Sequence, residues 1–119
     1  MKKCSESFSW RRLPQTYYNR VLETVGKDNA DSIVLFMMPG VNHCQGGPGP
    51  DTFDKVKVLD EWVTQGKKPN QIIASHRTNG QVDKTRPLCP FGHVAKYKGA
   101  GSTDEAANFS CVAEAMNPK

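Results

Sequence analysis

The sequence predicts an α/β fold, because three features of its first half occur in the order that such folds require. Residues 33–38 (IVLFMM) form an uninterrupted apolar run that ends at Pro39-Gly40, which is typical of a strand buried on both faces in a parallel sheet. Amphipathic helices are predicted on both sides of this run, over about 14–26 and 54–65. The order helix, buried strand, loop, helix is half of a doubly wound α/β unit.

Each helix is predicted from an apolar stripe and from the residues at its ends. The stripe of the first helix comprises Tyr18, Val21, Leu22 and Val25, and that of the second comprises Val56, Leu59 and Val63, with Trp62 beside them. Pro14 suits the first turn of a helix, and Gly26 suits its C-terminal stop. For the second helix, Asp51 or Thr52 is the expected N-cap and Gly66 is the expected end.

The rest of the chain offers few strands. Residues 72–74 (IIA) are expected to be a short strand or an extended segment, and from 78 to 119 no period persists. We therefore predict that this region wraps over the surface as an extended tail and adds no further layer of sheet. Since a strand buried on both faces needs a neighbour on each side, the sequence indicates the last part of a larger α/β domain, or a module completed by a partner.

Size and charge exclude several classes of function. The chain has 119 residues, which suits one small domain. Its net charge is +4, and the basic residues are scattered, so we expect a solvated surface and no binding of nucleic acid. No apolar run approaches the roughly 20 residues that span a bilayer, so no membrane partner is expected. Met1-Lys2-Lys3 resembles the start of a signal peptide, but no apolar segment follows it.

His43 is the leading candidate for chemistry. It follows the predicted buried strand, and open α/β sheets place their active sites in the crevice beyond the carboxyl ends of the strands. An imidazole titrates near neutral pH and can serve there as a general base. The competing interpretation is a surface histidine without a catalytic role, which is the commoner case for a lone histidine in a loop.

The sequence around this histidine argues against two other kinds of site. Zinc sites use about four ligands with paired spacings, whereas the cysteines stand apart at positions 4, 44, 89 and 111, and the histidines at 43, 76 and 93. Residues 46–50 (GGPGP) lack the Gly-Lys-Ser/Thr ending of a phosphate loop, and their prolines remove backbone N–H donors. This segment is interpreted as a tight turn that holds His43, and no metal site is predicted.

Four cysteines in a short chain indicate disulfides, and the sequence alone allows three pairings. Cys89 and Cys111 lie in the loop-rich tail, where a bridge would stabilise most. Closing a loop of that length contributes about 3 kcal/mol in the chain-entropy description. Disulfide bonds in turn imply an oxidising compartment.

Several motifs occur in the order found in a known family. The strongest are FMMPGVNHC at 36–44 and GGPGPD at 46–51, with further matches in YYNRV at 17–21, TRPLCP at 85–90, AKYKG at 95–99 and ANFSC at 107–111. Together they closely resemble the C-terminal part of the tannase/feruloyl esterase family, which includes MHETase-like hydrolases of aromatic esters. The resemblance covers residues 13–112, and it leaves 1–12 as an undefined N-terminal segment and 113–119 as a tail.

The resemblance implies the C-terminal portion of an α/β-hydrolase catalytic domain that cleaves esters of aromatic carboxylic acids with a Ser-Asp-His triad. His43 matches the catalytic histidine, the general base. The chain has no Gly-x-Ser-x-Gly sequence, so the serine, the oxyanion hole, a calcium-carrying lid domain and a signal peptide would all precede Met1. We expect the isolated chain to be inactive without that N-terminal portion as a partner, to hold no cofactor, and to derive from a secreted or periplasmic enzyme.

The resemblance also assigns roles to the cysteines and to one acidic residue. Cys89 and Cys111 match a pair that is bridged in the family. Cys44 matches a cysteine bonded to another just before the nucleophilic serine, and that partner is expected to be missing here. Counting back from the family's tyrosines places Glu6 at the position of the triad aspartate, so Glu6 is a candidate for the acidic member. The strand that should precede this acid is absent, and residues 1–12 are interpreted as unrelated to the family.

Three functions are compatible with the sequence. The first is the C-terminal piece of an aromatic-ester hydrolase that carries its catalytic histidine. The second is a binding or interaction module that retains this piece of the fold without its chemistry. The third is a structural remnant without activity.

Overall fold

A computed structural model of the chain describes residues 13–115, and it combines helices with strands as the sequence predicts. Its helices are α1 (Leu13–Val25) and α2 (Lys55–Gln65), with short 3-10 helices at Lys27–Ser32 and Ala106–Asn108. Its strands are β1 (Ile72–Thr78), β2 (Gln81–Leu88), β3 (His93–Tyr97) and β4 (Phe109–Ala113). Within the described residues, no helix is long and apolar enough to cross a bilayer.

Helix α1 matches the prediction within one residue at each end. It ends at Gly26, which has a φ of 75°, a backbone conformation that glycine adopts without strain. The Gly26 amide donates to the carbonyl of Leu22 at 3.1 Å and closes the last turn. Tyr18, from the predicted stripe, is half-buried and packs edge-to-face on Phe91 with the ring centroids 6.0 Å apart. That contact fastens α1 to the segment that precedes β3.

Helix α2 forms where it is predicted, but its N-cap differs. The side chain of Asp54 accepts a hydrogen bond from the Lys57 amide at 2.9 Å, and Gly66 ends the helix in the left-handed conformation. The predicted caps, Asp51 and Thr52, are wrong because the Asp51 carboxylate is occupied in the preceding loop, where Thr52 donates to it.

The predicted apolar stripe of α2 does not face a core. Val56, Leu59 and Val63 have relative exposures of 78%, 59% and 76%, whereas Val58 packs against the small core. The stripe that the sequence marks for burial therefore lies on the surface of this chain. Three large apolar side chains on one face of a helix normally pack against another element.

Residues 33–38 are extended and half-buried, and the prediction of a strand buried on both faces of a parallel sheet is wrong for the part of the chain that the structure describes. Their strand pairing is a single antiparallel bridge, from Phe36 to Pro90. Beside it, the Phe91 amide donates to the Leu35 carbonyl at 2.8 Å. A six-residue apolar run with one bridge has most of its pairing capacity unused.

The tail is not an extended wrap, because it forms two antiparallel sheets of two strands each. Strands β1 and β2 pair from Ile72 opposite Leu88 to Thr78 opposite Gln81. Their turn is Asn79-Gly80, with φ values of 51° and 79°, a pair of residues favoured in two-residue hairpins. Strands β3 and β4 pair in the same antiparallel sense. The prediction failed because charged and polar residues occupy most of these exposed strands and weaken the apolar alternation.

The core lies on one face of the first sheet. Ile72, Ala74 and Leu88 are buried there, and the partly buried residues that pack against them are Phe36, Met38, Phe53 and Val58. A disulfide joins Cys89, directly after β2, to Cys111 in β4, which is the pair that the resemblance implies. The bridge connects the two sheets next to the core.

Candidate functional site

His43 lies exposed on a loop that the chain's own backbone holds closed. The loop, residues 39–51, continues from the extended segment 33–38, as predicted. At its start, the Val41 amide donates to the Met38 carbonyl at 3.3 Å. Across its neck, the Asn42 amide donates to the Gly46 carbonyl and the Gly49 amide donates to the Gly40 carbonyl, both at 2.9 Å. These bonds fix the backbone on both sides of His43.

Two glycines allow the two sides of this loop to lie close together. A Cβ atom on Gly47 would lie 2.5 Å from the Gly40 carbonyl oxygen, and one on Gly49 would collide with the backbone of Pro39 and Gly40. Gly47 also has a φ of 93°, where a side chain is strained. The interpretation of the GGPGP segment as a tight turn that holds His43 agrees with this packing.

Replacing Gly47 with alanine is expected to destabilise the chain by about 2 kcal/mol, because the new methyl group meets backbone atoms in a strained conformation. Gly99 is the matched control, since its φ is 91° and a Cβ there would meet nothing within 4 Å. Gly99→Ala should therefore cost only the conformational strain, about 1 kcal/mol. Urea unfolding of both variants measures the difference, and equal losses would show that the close approach at Gly47 does not matter.

Asp51 fastens the far end of the loop. Its carboxylate accepts a hydrogen bond from the Gly46 amide at 2.7 Å and another from the Thr52 hydroxyl at 2.9 Å. These two bonds, the first more than the second, lower the pKa of the Asp51 carboxyl below its usual value, because they stabilise its charged form. Since Gly46 in turn accepts from Asn42, the carboxylate supports the turn that carries His43.

The loop is also joined to the first sheet. The amides of Asp51 and Thr52 donate to the carbonyl of Ser75 in β1 at 3.2 and 3.1 Å, and the Ser75 amide donates back to the Thr52 carbonyl at 2.8 Å. Ser75 follows Ala74, whose side chain is fully buried in the core. The loop that carries His43 is therefore hydrogen-bonded to the first sheet, directly beside the buried core.

We expect the hydrogen bonds accepted by the Asp51 carboxylate to weaken in acid. Because the pKa of Asp51 is lower in the folded chain than the unfolded value of about 3.9, its contribution to stability is complete above that value and is lost as the pH falls through the folded pKa. The NMR signal of the Gly46 amide should follow this titration, with a midpoint below 3.8, the ordinary value for aspartate.

The corresponding variant is Asp51→Asn, which should remove the titration from the Gly46 amide and speed its hydrogen exchange at neutral pH. Asp60→Asn is the control, because Asp60 is an exposed aspartate on α2, outside the loop. If the Gly46 signal titrated in the same way in the Asp51→Asn protein, the carboxylate would have no part in holding the loop.

The neighbouring sulfur favours one tautomer of His43. Its Nδ1 lies 3.3 Å from Cys44 Sγ. Cys44 is disulfide-bonded, so its sulfur has no hydrogen and can only accept. A hydrogen bond between them therefore requires the proton on Nδ1, which leaves the lone pair of the neutral ring on Nε2. A general base that acts through Nε2 needs this tautomer.

The other residues singled out in the sequence are not brought to His43. Glu6, the candidate acidic member, lies outside the described residues. Cys44 is disulfide-bonded, which differs from the expectation that its partner is missing. Within residues 13–115, no carboxylate lies within ion-pair distance of His43. No group of three or more potential metal ligands occurs in this same part of the chain.

One polar cluster was missed by the sequence analysis. His76 Nδ1 lies 2.6 Å from Asp83 Oδ1, and the Thr78 hydroxyl donates to the other carboxylate oxygen at 2.7 Å. The Thr78 bond and then the His76 contact lower the pKa of the Asp83 carboxyl. The signal available was the Asn79-Gly80 turn, which joins the two strands that carry these three residues. Asp83 lies at an irregularity, where the register shifts between His76 and Arg77 and leaves Asp83 without a partner across the hairpin.

Comparison with known proteins gives a consistent result. The sequence model of the family described as tannase and feruloyl esterase matches residues 13–112. Mono(2-hydroxyethyl) terephthalate hydrolase of Piscinibacter sakaiensis is 49% identical over 82 residues, which are 66% of this chain and 14% of that protein. A probable feruloyl esterase of Arthroderma benhamiae is 37% identical over 82 residues, which are 66% of this chain and 15% of that protein.

The solved structures add a fold comparison. The crystal structure of an esterase from Aspergillus oryzae superposes with a TM-score of 0.71 at 26% identity, over 86% of this chain and 24% of that one. The chain thus spans about one seventh of the length of the two curated relatives, 14% and 15%, and about a quarter of the solved structure, 24%.

Proposed function

The chain belongs to the tannase and feruloyl esterase family, and on that premise we propose that it carries the catalytic histidine of a carboxylic ester hydrolase. The observation that supports this role for His43 is its placement. It stands exposed on a loop held by Asp51 and by close backbone contacts, with Nδ1 directed at Cys44 Sγ and Nε2 available. A positioned, accessible Nε2 is the requirement for a general base.

In the proposed reaction, a serine hydroxyl attacks the carbonyl carbon of the ester while His43 Nε2 takes the serine proton. The imidazolium then gives that proton to the leaving alcohol, and an acyl-enzyme forms. Water releases the acid by the same route, with His43 again acting first as base and then as acid. A carboxylate that replaced Cys44 Sγ as the acceptor of Nδ1–H would stabilise the imidazolium, and an aspartate outside this chain, or Glu6, would supply it.

The proposed substrates are esters of aromatic carboxylic acids, the class that the resemblance to this family implies. The serine and the oxyanion hole belong to an N-terminal portion of an α/β-hydrolase domain, and we propose that portion as the partner of residues 13–112. No cofactor is proposed for this chain, and a calcium-carrying lid would belong to the partner. The proposed location, secreted or periplasmic, agrees with the disulfide between Cys89 and Cys111.

Two surfaces support the proposed partner. The stripe of α2 that comprises Val56, Leu59 and Val63 is exposed in the described part of the chain. The extended segment 33–38 has a single bridge there. An amphipathic helix together with an apolar segment that has little strand pairing is expected at the edge of an α/β sheet whose neighbouring strands come from another polypeptide segment.

The alternative is an interaction module without catalysis. The same unpaired segment and the same exposed stripe favour it, because both would serve any partner that adds a strand and a helix. The remnant without activity is the third possibility. The two alternatives differ from the first in one respect: neither needs His43.

The deciding experiment is complementation. A polypeptide that carries the serine, the aspartate and the oxyanion hole of the same hydrolase is mixed with the chain under oxidising conditions, and hydrolysis of an aryl ester is followed. Restored hydrolysis supports the proposed function. Saturable binding to that polypeptide without hydrolysis supports the interaction module, and neither binding nor hydrolysis supports the remnant.

A further inference from the structure

A cavity of about 610 Å³ lies behind the His43 loop. It is bounded by the loop on one side and by β2, β3 and the start of β4 on the other. Its volume falls within the range of small-molecule sites, roughly 300–1,000 Å³. His43 does not line it, so it is separate from the candidate active site.

Two cations line this cavity. Lys84 and Arg86 are two residues apart on β2, so their side chains lie on the same face of the strand. Leu88 lies on that face too, and it is buried in the core with 2% exposure. Both cations are half-buried, and within residues 13–115 no carboxylate lies within ion-pair distance of either. Holding a partly desolvated cation without a counterion costs free energy. The face therefore has an unmet preference for an anion.

The guanidinium of Arg86 is fixed in orientation. Its central carbon lies 4.1 Å from the centroid of the Phe109 ring, and its Nη1 donates to the Thr85 carbonyl at 3.0 Å. An arginine has five N–H donors in a planar fork, so several remain for a ligand. A fork held in one plane is suited to a carboxylate, which it can bind through two parallel hydrogen bonds.

The other residues that line the cavity indicate the ring and the net charge of the ligand. Phe91, Val94 and Phe109 supply apolar and aromatic surface, against which a flat ring packs well. Glu114 also lines the cavity, so its carboxylate and the two cations leave one excess positive charge there. His93 is the other titratable residue of the lining. One excess charge matches a ligand with a single negative charge.

We infer that this cavity binds an aromatic monocarboxylate, with its ring against Phe91 and Val94 and its carboxylate on Arg86 and Lys84. The inference concerns this chain alone and does not rest on the proposed catalysis. The wall formed by residues 39, 40 and 48–50 is the rear of the loop that carries His43, so a bound ligand would contact that loop from behind.

The test is a titration of the full 119-residue chain with benzoate, followed by heteronuclear NMR. Benzoate should give saturable shifts at the amides of residues 84–86 and 91–94. Its neutral isostere benzamide should bind at least about tenfold more weakly, because the charge-assisted hydrogen bonds are lost. Cyclohexanecarboxylate, which keeps the charge without the ring, should also bind more weakly.

Three variants locate the binding. Arg86→Gln should weaken benzoate binding at least about tenfold, and Arg86→Lys should lie between it and the parent, since it keeps the charge without the fork. Lys55→Gln is the matched control and should bind normally, because Lys55 also lies near an aromatic ring, 5.8 Å from the centroid of Phe53, but outside the cavity. Thermal unfolding of each variant separates lost binding from lost folding.

Several results would overturn the inference. Equal affinity for benzamide and benzoate would show an apolar cavity that does not recognise charge. Unchanged affinity in a folded Arg86→Gln protein would place the ligand elsewhere, and so would shifts confined to the groove along α1, around Tyr17 and Val21. Loss of benzoate binding when the serine-bearing polypeptide is added would show that a protein segment, not a small acid, is the occupant.

Discussion

In the assembly of this chain with the serine-bearing polypeptide, replacing His43 with alanine is expected to lower kcat/KM for an aryl ester by about a thousandfold or more. The imidazole would move a proton in both halves of the reaction, so its loss removes the base and the acid together. Binding of the two polypeptides should be unchanged, because His43 is exposed and its backbone is held by residues other than itself. Steady-state hydrolysis measures the first quantity, and calorimetric titration measures the second.

His76→Ala is the control for this experiment. His76 lies in β1, where it contacts Asp83, and it does not line the cavity behind the His43 loop, so its loss should leave hydrolysis unchanged. Added imidazole should restore part of the activity of the His43→Ala assembly, since a small base can enter the vacated space. Parental activity in that assembly would refute a catalytic role for His43 and favour the interaction module.

The helices could be predicted because their signals are local. Gly26 and Gly66 end α1 and α2 in conformations that glycine tolerates best, and both stops are visible in the sequence. The N-cap of α2 could not be identified from the N-cap preferences of the nearby polar residues alone. Asp54 caps the helix because Asp51 is already used by Gly46 and Thr52, and that competition exists only in three dimensions.

The segment 33–38 shows the opposite case. Its composition indicates burial on both faces, but burial depends on neighbours, and the described chain offers it one bridge at Phe36. The apolar pattern thus reports the environment for which the segment is suited, while the structure reports the contacts this chain supplies. The exposed Val56 and Val63 of α2 differ from their prediction for the same reason.

The sheets of the tail were missed although one strong signal was present. Asn79-Gly80 is a common two-residue hairpin turn, but the strands beside it lack a clear alternation of apolar and polar residues. Only the ends of β1 and β2 that lie far from the turn are buried, at Ile72 and Leu88. The contact of His76 with Asp83 lies at an irregularity in the register of this hairpin, where His76 is opposite Lys84 and Arg77 is opposite Val82. It could not be anticipated without the hairpin.

For the candidate site, the sequence indicated the position of His43 but not the hydrogen bonds that hold its loop. His43 was singled out because it follows an apolar run, and the glycines after it indicated a tight turn. The carboxylate of Asp51 and the two-way pairing of Thr52 with Ser75 could not be anticipated. Ser75 is 23 residues from Thr52 along the chain, and such contacts leave no local pattern.

Loss of the disulfide is expected to have the largest effect on stability. Replacing Cys89 with serine should lower the free energy of unfolding by about 3 kcal/mol, because the bridge closes a loop with a sequence separation of 22 residues. At roughly 4–8 °C per kcal/mol for a domain of this size, Tm should fall by at least about 10 °C under oxidising conditions. Amide hydrogen exchange should speed up most in β3 and β4, which the bridge joins to the end of β2.

The other links between the two sheets decide how this result is interpreted. The Thr85 amide donates to the Asp104 carbonyl, and the Ala106 amide donates to the Thr85 hydroxyl, both at 2.8 Å. If these bonds sufficed, Cys89→Ser would melt like the parent, which would contradict a stabilising role for the bridge. Cys89→Ala in a Cys111→Ala background is the matched control, since it removes the bridge without a buried hydroxyl or an unpaired thiol. Equal losses in both proteins would assign the effect to the lost bridge, because the new hydroxyl and the unpaired thiol occur only in Cys89→Ser.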